Sequence, residues 1–88
     1  MIDLDLILSL IDDYLKSLSP EDLRYQQIIV NEKFSYAFSD DELRRLNKFA
    51  RHHTCKDVFI SKYLVNDLCV VNQNKRPLKD YFIYNLGE

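Results

Sequence analysis

The sequence predicts an all-α fold: residues 1–88 form a single helical domain, a small bundle of four to five helices with a short extended aromatic segment near 33–38. Three observations carry that expectation. The chain holds one Gly and two Pro, fewer breakers than a turn-rich β fold ordinarily uses. Ser39-Asp40-Asp41-Glu42 has the form of a capping box, in which Ser39 accepts from the Glu42 N–H and Glu42 reaches back. Beyond it, Leu43, Leu46, Phe49, Ala50 and His53 recur at helical spacing in one arc, opposite Arg44, Arg45, Lys48, Arg51 and His52.

Residues 2–17 read as a first helix, its apolar stripe (Leu4, Ile7, Leu8, Ile11, Tyr14, Leu15 and, just beyond, Leu18) opposed by Asp5, Ser9, Asp12 and Lys16. Leu6 and Leu10 widen the stripe, so the helix is expected to bury against two neighbours, one of them internal or in a second copy of the chain. Ser19-Pro20-Glu21-Asp22 starts a second helix, with Ser19 as N-cap and Pro20 at the first helical position. That helix is expected to reach about Asn31 and give way to a connector carrying Phe34, Tyr36 and Phe38. The rival reading is a hairpin turning at Asn31-Glu32-Lys33, disfavoured by the lack of Gly. After the central helix over 39–53, Thr54 reads as the cap of a further helical segment in which Ile60, Leu64, Leu68 and Val71 share a face. Whether 39–71 is one bent helix or two stays open. Asn72-Gln73-Asn74-Lys75 is a polar turn. Pro77 opens a last helix with Leu78, Tyr81, Phe82 and Leu86 on one face and Gly87 as its stop; a short strand over Tyr81 to Tyr84 is the alternative.

With 47% hydrophobic and 30% charged residues the composition is that of a globular protein, and 88 residues suffice for one modest core without metal or disulfide staples. The net charge of −2 hides an asymmetry: 1–22 is acidic, whereas Arg44, Arg45, Lys48, Arg51 and Lys56 lie in a stretch with no acid. Cys55 and Cys69, placed on one helix, would stand about 21 Å apart, beyond disulfide reach, so reduced thiols and a cytoplasmic location are expected. The first residues lack a basic n-region and do not read as a signal peptide. No run approaches the roughly 20 apolar residues of a membrane span.

No constellation carries chemistry. His52, His53 and Cys55 lack the further ligands that a metal site needs, and Cys55 with His52 lacks a readable oxyanion hole. Glu21-Asp22 and Asp40-Asp41 sit in helix first turns, where the dipole accounts for them. Asp12 and Asp13 diverge on a helix surface. The expectation is therefore a small intracellular non-enzymatic regulator or inhibitor with no cofactor and no metal. An acidic protein partner is expected to dock on Arg44, Arg45, Lys48, Arg51 and Lys56. A homodimer is expected through Leu6, Leu10, Phe82, Ile83 and Tyr84. The alternative is a DNA-binding transcriptional regulator, helix-turn-helix-like, using the cationic face of 39–53; the pI of about 5.6 and Asp57 in the second helix weigh against nucleic acid. Tyr36-Ala37-Phe38-Ser39-Asp40-Asp41-Glu42-Leu43 resembles the start of the long helix of the Hha family of nucleoid-associated modulators over those eight residues, most of them the capping box.

Overall fold

The computed structural model describes residues 2–75, 77 and 80–87, and at its centre is a four-stranded sheet, which corrects the all-α helical bundle to a mixed α/β domain. In chain order the elements are α1 (Leu4–Lys16), α2 (Pro20–Leu23), β1 (Gln26–Asn31), α3 (Glu32–Ser35), α4 (Asp40–Thr54), β2 (Phe59–Ser61), β3 (Leu68–Asn72) and β4 (Asp80–Tyr84). The strand order is β2-β1-β3-β4. β1 pairs in parallel with β2 and antiparallel with β3, and β3 pairs antiparallel with β4.

The helices expected over 2–17 and 39–53 form, and a helix starts at Pro20 as expected. Asp3 caps α1 by accepting from the Leu6 N–H at 3.1 Å, and Ile7, Ile11 and Leu15 are fully buried along it. Ser19 accepts from the Asp22 N–H, but α2 ends after one turn at Leu23. The capping box of α4 is complete, with Ser39 N–H donating to Glu42 at 2.8 Å and Glu42 N–H donating to Ser39 at 3.1 Å. Asp5 with Arg45 and Asp12 with His53 (3.7 Å) link α1 to α4 at corresponding heights, so the two helices run side by side in the same direction.

Three expected helical stretches are extended instead. The helix to Asn31 is replaced by β1, where the β-branched Ile28-Ile29-Val30 favours a pleated surface and Gln26, Ile28 and Val30 turn to the buried face. The segment after Thr54 is not helical because Thr54 closes α4: its hydroxyl donates to Ala50 O at 2.7 Å and accepts from the Lys56 N–H at 3.3 Å. Cys55 then takes the left-handed conformation, φ 61 and ψ 18, that usually falls to Gly, so the stop carries no glycine signal. The last helix is replaced by β4; Leu78 lies outside the described residues, and the short-strand alternative over Tyr81 to Tyr84 is the one adopted. The aromatic segment near 33–38 is not extended: Glu32–Ser35 is one helical turn, and Phe34 meets Phe38 edge-on at 5.2 Å between ring centroids.

Few breakers did not prevent a sheet, because Asn and Asp side chains make the turns. Asn31 accepts from the Lys33 N–H at 2.8 Å to start α3 and Asn72 accepts from Asn74 N–H at 2.9 Å after β3, while Asp67 accepts from Leu86 N–H at 2.7 Å and so joins the segment before β3 to the one after β4. Asn85 accepts from the Asp67 N–H at 2.9 Å, tying the start of β3 to the end of β4.

The helices lie on one face of the sheet. Leu4, Ile7, Ile11 and Leu15 of α1 and Leu46 and Ala50 of α4 close over Ile28, Val30, Leu68 and Val70 in one buried cluster. Each of these side chains apart from Ala50 contributes roughly 1.5–3 kcal/mol by leaving water. Phe82 packs on Tyr14 (5.6 Å) and Tyr84 on Phe34 (6.2 Å), which seats β4 against the same layer. The second face is buried at its middle, at Cys69 and Val71, and exposed toward its edges. There Phe59, Ile29, Cys69 and Ile83 are register partners in one row across all four strands. No helix among the described residues is long and apolar enough to cross a membrane.

Candidate functional site

α4 presents its outer face because Leu46, Ala50 and Thr54, one turn apart, face the core. The five cations expected as a docking surface meet different fates. Arg44 pairs with Asp41 one turn earlier on α4, Arg45 with Asp5 of α1, and Arg51 with Asp57 at 3.0 Å. Lys56 is not on the helix at all: its ammonium donates to Arg24 O at 2.9 Å and Gln26 O at 3.2 Å, holding the start of β1. Lys48 has no partner among the described residues. The arc is thus less positive than its sequence suggests, with three of its four helix cations matched by carboxylates.

Asn47 sits between these cations and links α4 to the segment before β2. Its amide donates to Asp57 at 3.1 Å and its carbonyl oxygen accepts from the Val58 N–H at 2.8 Å. The Asn47 hydrogen bond, and after it the Arg51 guanidinium, hold the Asp57 carboxyl below its ordinary value of 3.8. Beneath this clamp an apolar recess of about 200 Å³ opens between α4 and β2, lined by Leu43, Leu46, Asn47, Val58 and Ile60. It continues through Leu43 and Asn47 into a shallow groove flanked by Arg44, Lys48 and Arg51. Cations and recess share one wall. Val58 and Ile60 were missed as site residues because a helical reading of 54–71 assigns Ile60 to a core stripe; the β-branched and aromatic run Val58-Phe59-Ile60 was the available signal.

The residues expected at a dimer interface do not form one surface. Leu6 and Leu10 are exposed on α1, on the helix side of the sheet, whereas Ile83 is half exposed on the opposite face. Phe82 and Tyr84 alternate with Ile83 and turn inward, partly buried against Tyr14 and Phe34. The loop between β2 and β3 adds exposed apolar groups that the sequence reading did not single out, Tyr63 at 83% and Val65 at 95% exposure, while Asn31 holds that loop by donating to Leu64 O at 2.7 Å.

His52 and His53 meet edge-on at 4.9 Å, and His53 lies against Phe49 at 4.3 Å. Cys55 caps α4 and is exposed; Cys69 is buried in β3, and both are free thiols, not placed on one helix. Among the described residues no group of three His, Cys, Asp or Glu side chains is placed to hold a metal ion. Comparison with protein-family models, curated proteins and solved structures gives no match.

Proposed function

We infer that the chain is a small non-enzymatic regulator or inhibitor that works by binding an acidic protein partner. The observation that supports this reading best is the apolar recess between α4 and β2 with Arg44, Lys48 and Arg51 on its rim. Apolar contact supplies affinity there, and the flanking cations select partners by charge. Arg45 is paired with Asp5 on the α1 side of α4, and Lys56 belongs to the scaffold. Free thiols at an exposed and a buried position accord with a cytoplasmic protein, and a homodimer is proposed alongside the partner complex.

The test is affinity capture from the native host with the wild-type chain and with Arg44→Gln/Lys48→Gln/Arg51→Gln, after nuclease treatment. Gln is preferred to Glu because a Glu at 44 or 51 would face Asp41 or Asp57. Both pairs are exposed and add little to stability, so the triple variant should melt as the wild type does. Capture of the same acidic protein by the wild type only, diminishing with salt, is the expected result. A salt-dependent shift of duplex DNA, lost in the triple variant, would replace this reading with nucleic-acid binding. The helix-turn-helix expected for that role, 39–53 followed by a second helix, is absent, since β2 follows α4. Turnover of a substrate by the pure protein would remove the reading.

A further inference from the structure

We propose that β2 and the recess beside it form a docking site for one extended acidic peptide segment, which adds to the sheet as a fifth strand along the outer edge of β2. This rests on the preceding reading and specifies how the partner is held.

β2 is an edge strand, bonded to β1 on one side only. In a parallel pairing, alternate residues turn both backbone groups away from the partner strand, so Phe59–Ser61 offers main-chain donors and acceptors outward. Proteins commonly protect such edges with shortness, charge, proline or a bulge; Phe59-Ile60-Ser61 carries no charge, proline or bulge, and its three-residue length is its protection against longer strands. Ile60 is paired with Val30 and shares its helix-side orientation, yet 42% of it is exposed, because the layer above it is the open recess.

An extended segment laid on this edge would stand about 4.8 Å from β2 and direct every second side chain toward α4. One apolar side chain would enter the recess over Leu43, Val58 and Ile60. Residues two positions away on either side would lie about 6.7 Å from it, close to the 5.4 Å pitch that separates successive turns of α4. Those positions reach the rim, where Arg44, Lys48 and Arg51 follow each other at four and three residues. Carboxylates fit there: Asp41 and Asp57 already occupy Arg44 and Arg51 from within the chain, and exposed pairs of that kind exchange readily for a partner's acid. Among the described residues Lys48 has no acid to exchange. The site therefore reads an acid-x-apolar-x-acid pattern held by main-chain bonds.

The experiment titrates a ¹⁵N-labelled full chain with an eight-residue peptide containing Asp-Thr-Leu-Thr-Asp. Parallel titrations use the same peptide N-methylated at the residues bonding β2, and one with Lys in place of Asp. Amide shifts at Phe59, Ile60, Leu43 and Asn47 are expected, with slowed exchange of the outward-facing β2 amide. N-methylation, Asp→Lys in the peptide, or Lys48→Glu in the protein should each weaken binding at least tenfold; Lys48→Glu should keep the wild-type melt. If the N-methylated peptide binds equally well, or the shifts stay on α4, strand addition is wrong while charge docking on α4 survives. If no peptide binds at millimolar concentration but acidic protein is still captured, the strand-addition proposal alone fails. Failure of both peptide binding and capture overturns both.

Discussion

Cys55 holds the end of α4 in the left-handed region at φ 61, where a side chain costs about 1–2 kcal/mol that glycine avoids. Its N–H donates to Arg51 O at 3.0 Å, so the backbone geometry is required to close the helix whatever the side chain is. Cys55→Gly should therefore stabilise the fold by about 0.5–1 kcal/mol, after allowing for the extra freedom glycine brings to the unfolded chain. On thermal melting this is a rise of roughly 4 °C for a domain of this size. An unchanged or lower melting temperature refutes the argument. The same residue explains a misreading, since a helix stop was legible only as Gly. Gln26 is a second such site: it is fully buried, its amide nitrogen donates to Asp22 O at 3.2 Å, and its side-chain oxygen has no partner among the described residues. Two polar glutamines in succession do not announce the first residue of a buried strand.

At the scale of elements, what the sequence made legible were α1, through its apolar stripe, and the helices whose starts are written in side-chain chemistry: α2 through Ser19 and Pro20, and α4 through Ser39 and Glu42. Strands have no comparable end markers. β3 is buried over Leu68, Cys69, Val70, Val71 and Asn72 alike, so it shows no alternation, and a short apolar run cannot be told from a buried helix by period alone. The cationic arc was legible, but its pairing with Asp5 and Asp57 was not, because both acids are remote from it along the chain or were assigned to another helix. The junction of α4 with β2 also makes a pH prediction. Asn47 and Arg51 hold the Asp57 carboxyl below its usual value, so the unfolded chain takes up that proton more readily than the native one. The stabilisation is complete above pH 5, begins to fade near 3.8 and is lost as the pH falls through the lower native value. The stability gap between wild type and Asp57→Asn, measured by urea melts, should be constant from pH 7 to 5 and narrow toward pH 3. A gap that does not change with pH contradicts the assignment. Asp12, lowered chiefly by its bond to Lys16 (2.8 Å), adds a separate acid dependence that both variants share.

At the scale of the whole molecule, one layer of helices covers one side of the sheet, and the other side carries an apolar row that is buried at Cys69 and exposed at its two ends. Phe59 and Ile83, at 58% and 50% exposure, stand at the two ends of the row that crosses that face. Proposed self-association is therefore placed on the sheet face, since α1 offers only Leu6 and Leu10 on its side. Light scattering at tens of micromolar should give twice the chain mass, reduced to one chain by Ile83→Lys and unaffected by Leu10→Lys; a single chain mass for the wild type rules the dimer out. The position of β1 has a further consequence, in time as well as in space. Its partners come late: Ile29 waits for Phe59, and Ile28 for Val70. During synthesis α1 to α4 are all made before either neighbour of β1 exists, so the apolar side of the helix layer has no sheet to close on. A chain halted after α4 exposes Ile28 and Val30 to whatever is nearby, and the last third of the sequence, which carries no expected site cation beyond Lys56, decides whether the first two thirds can fold at all.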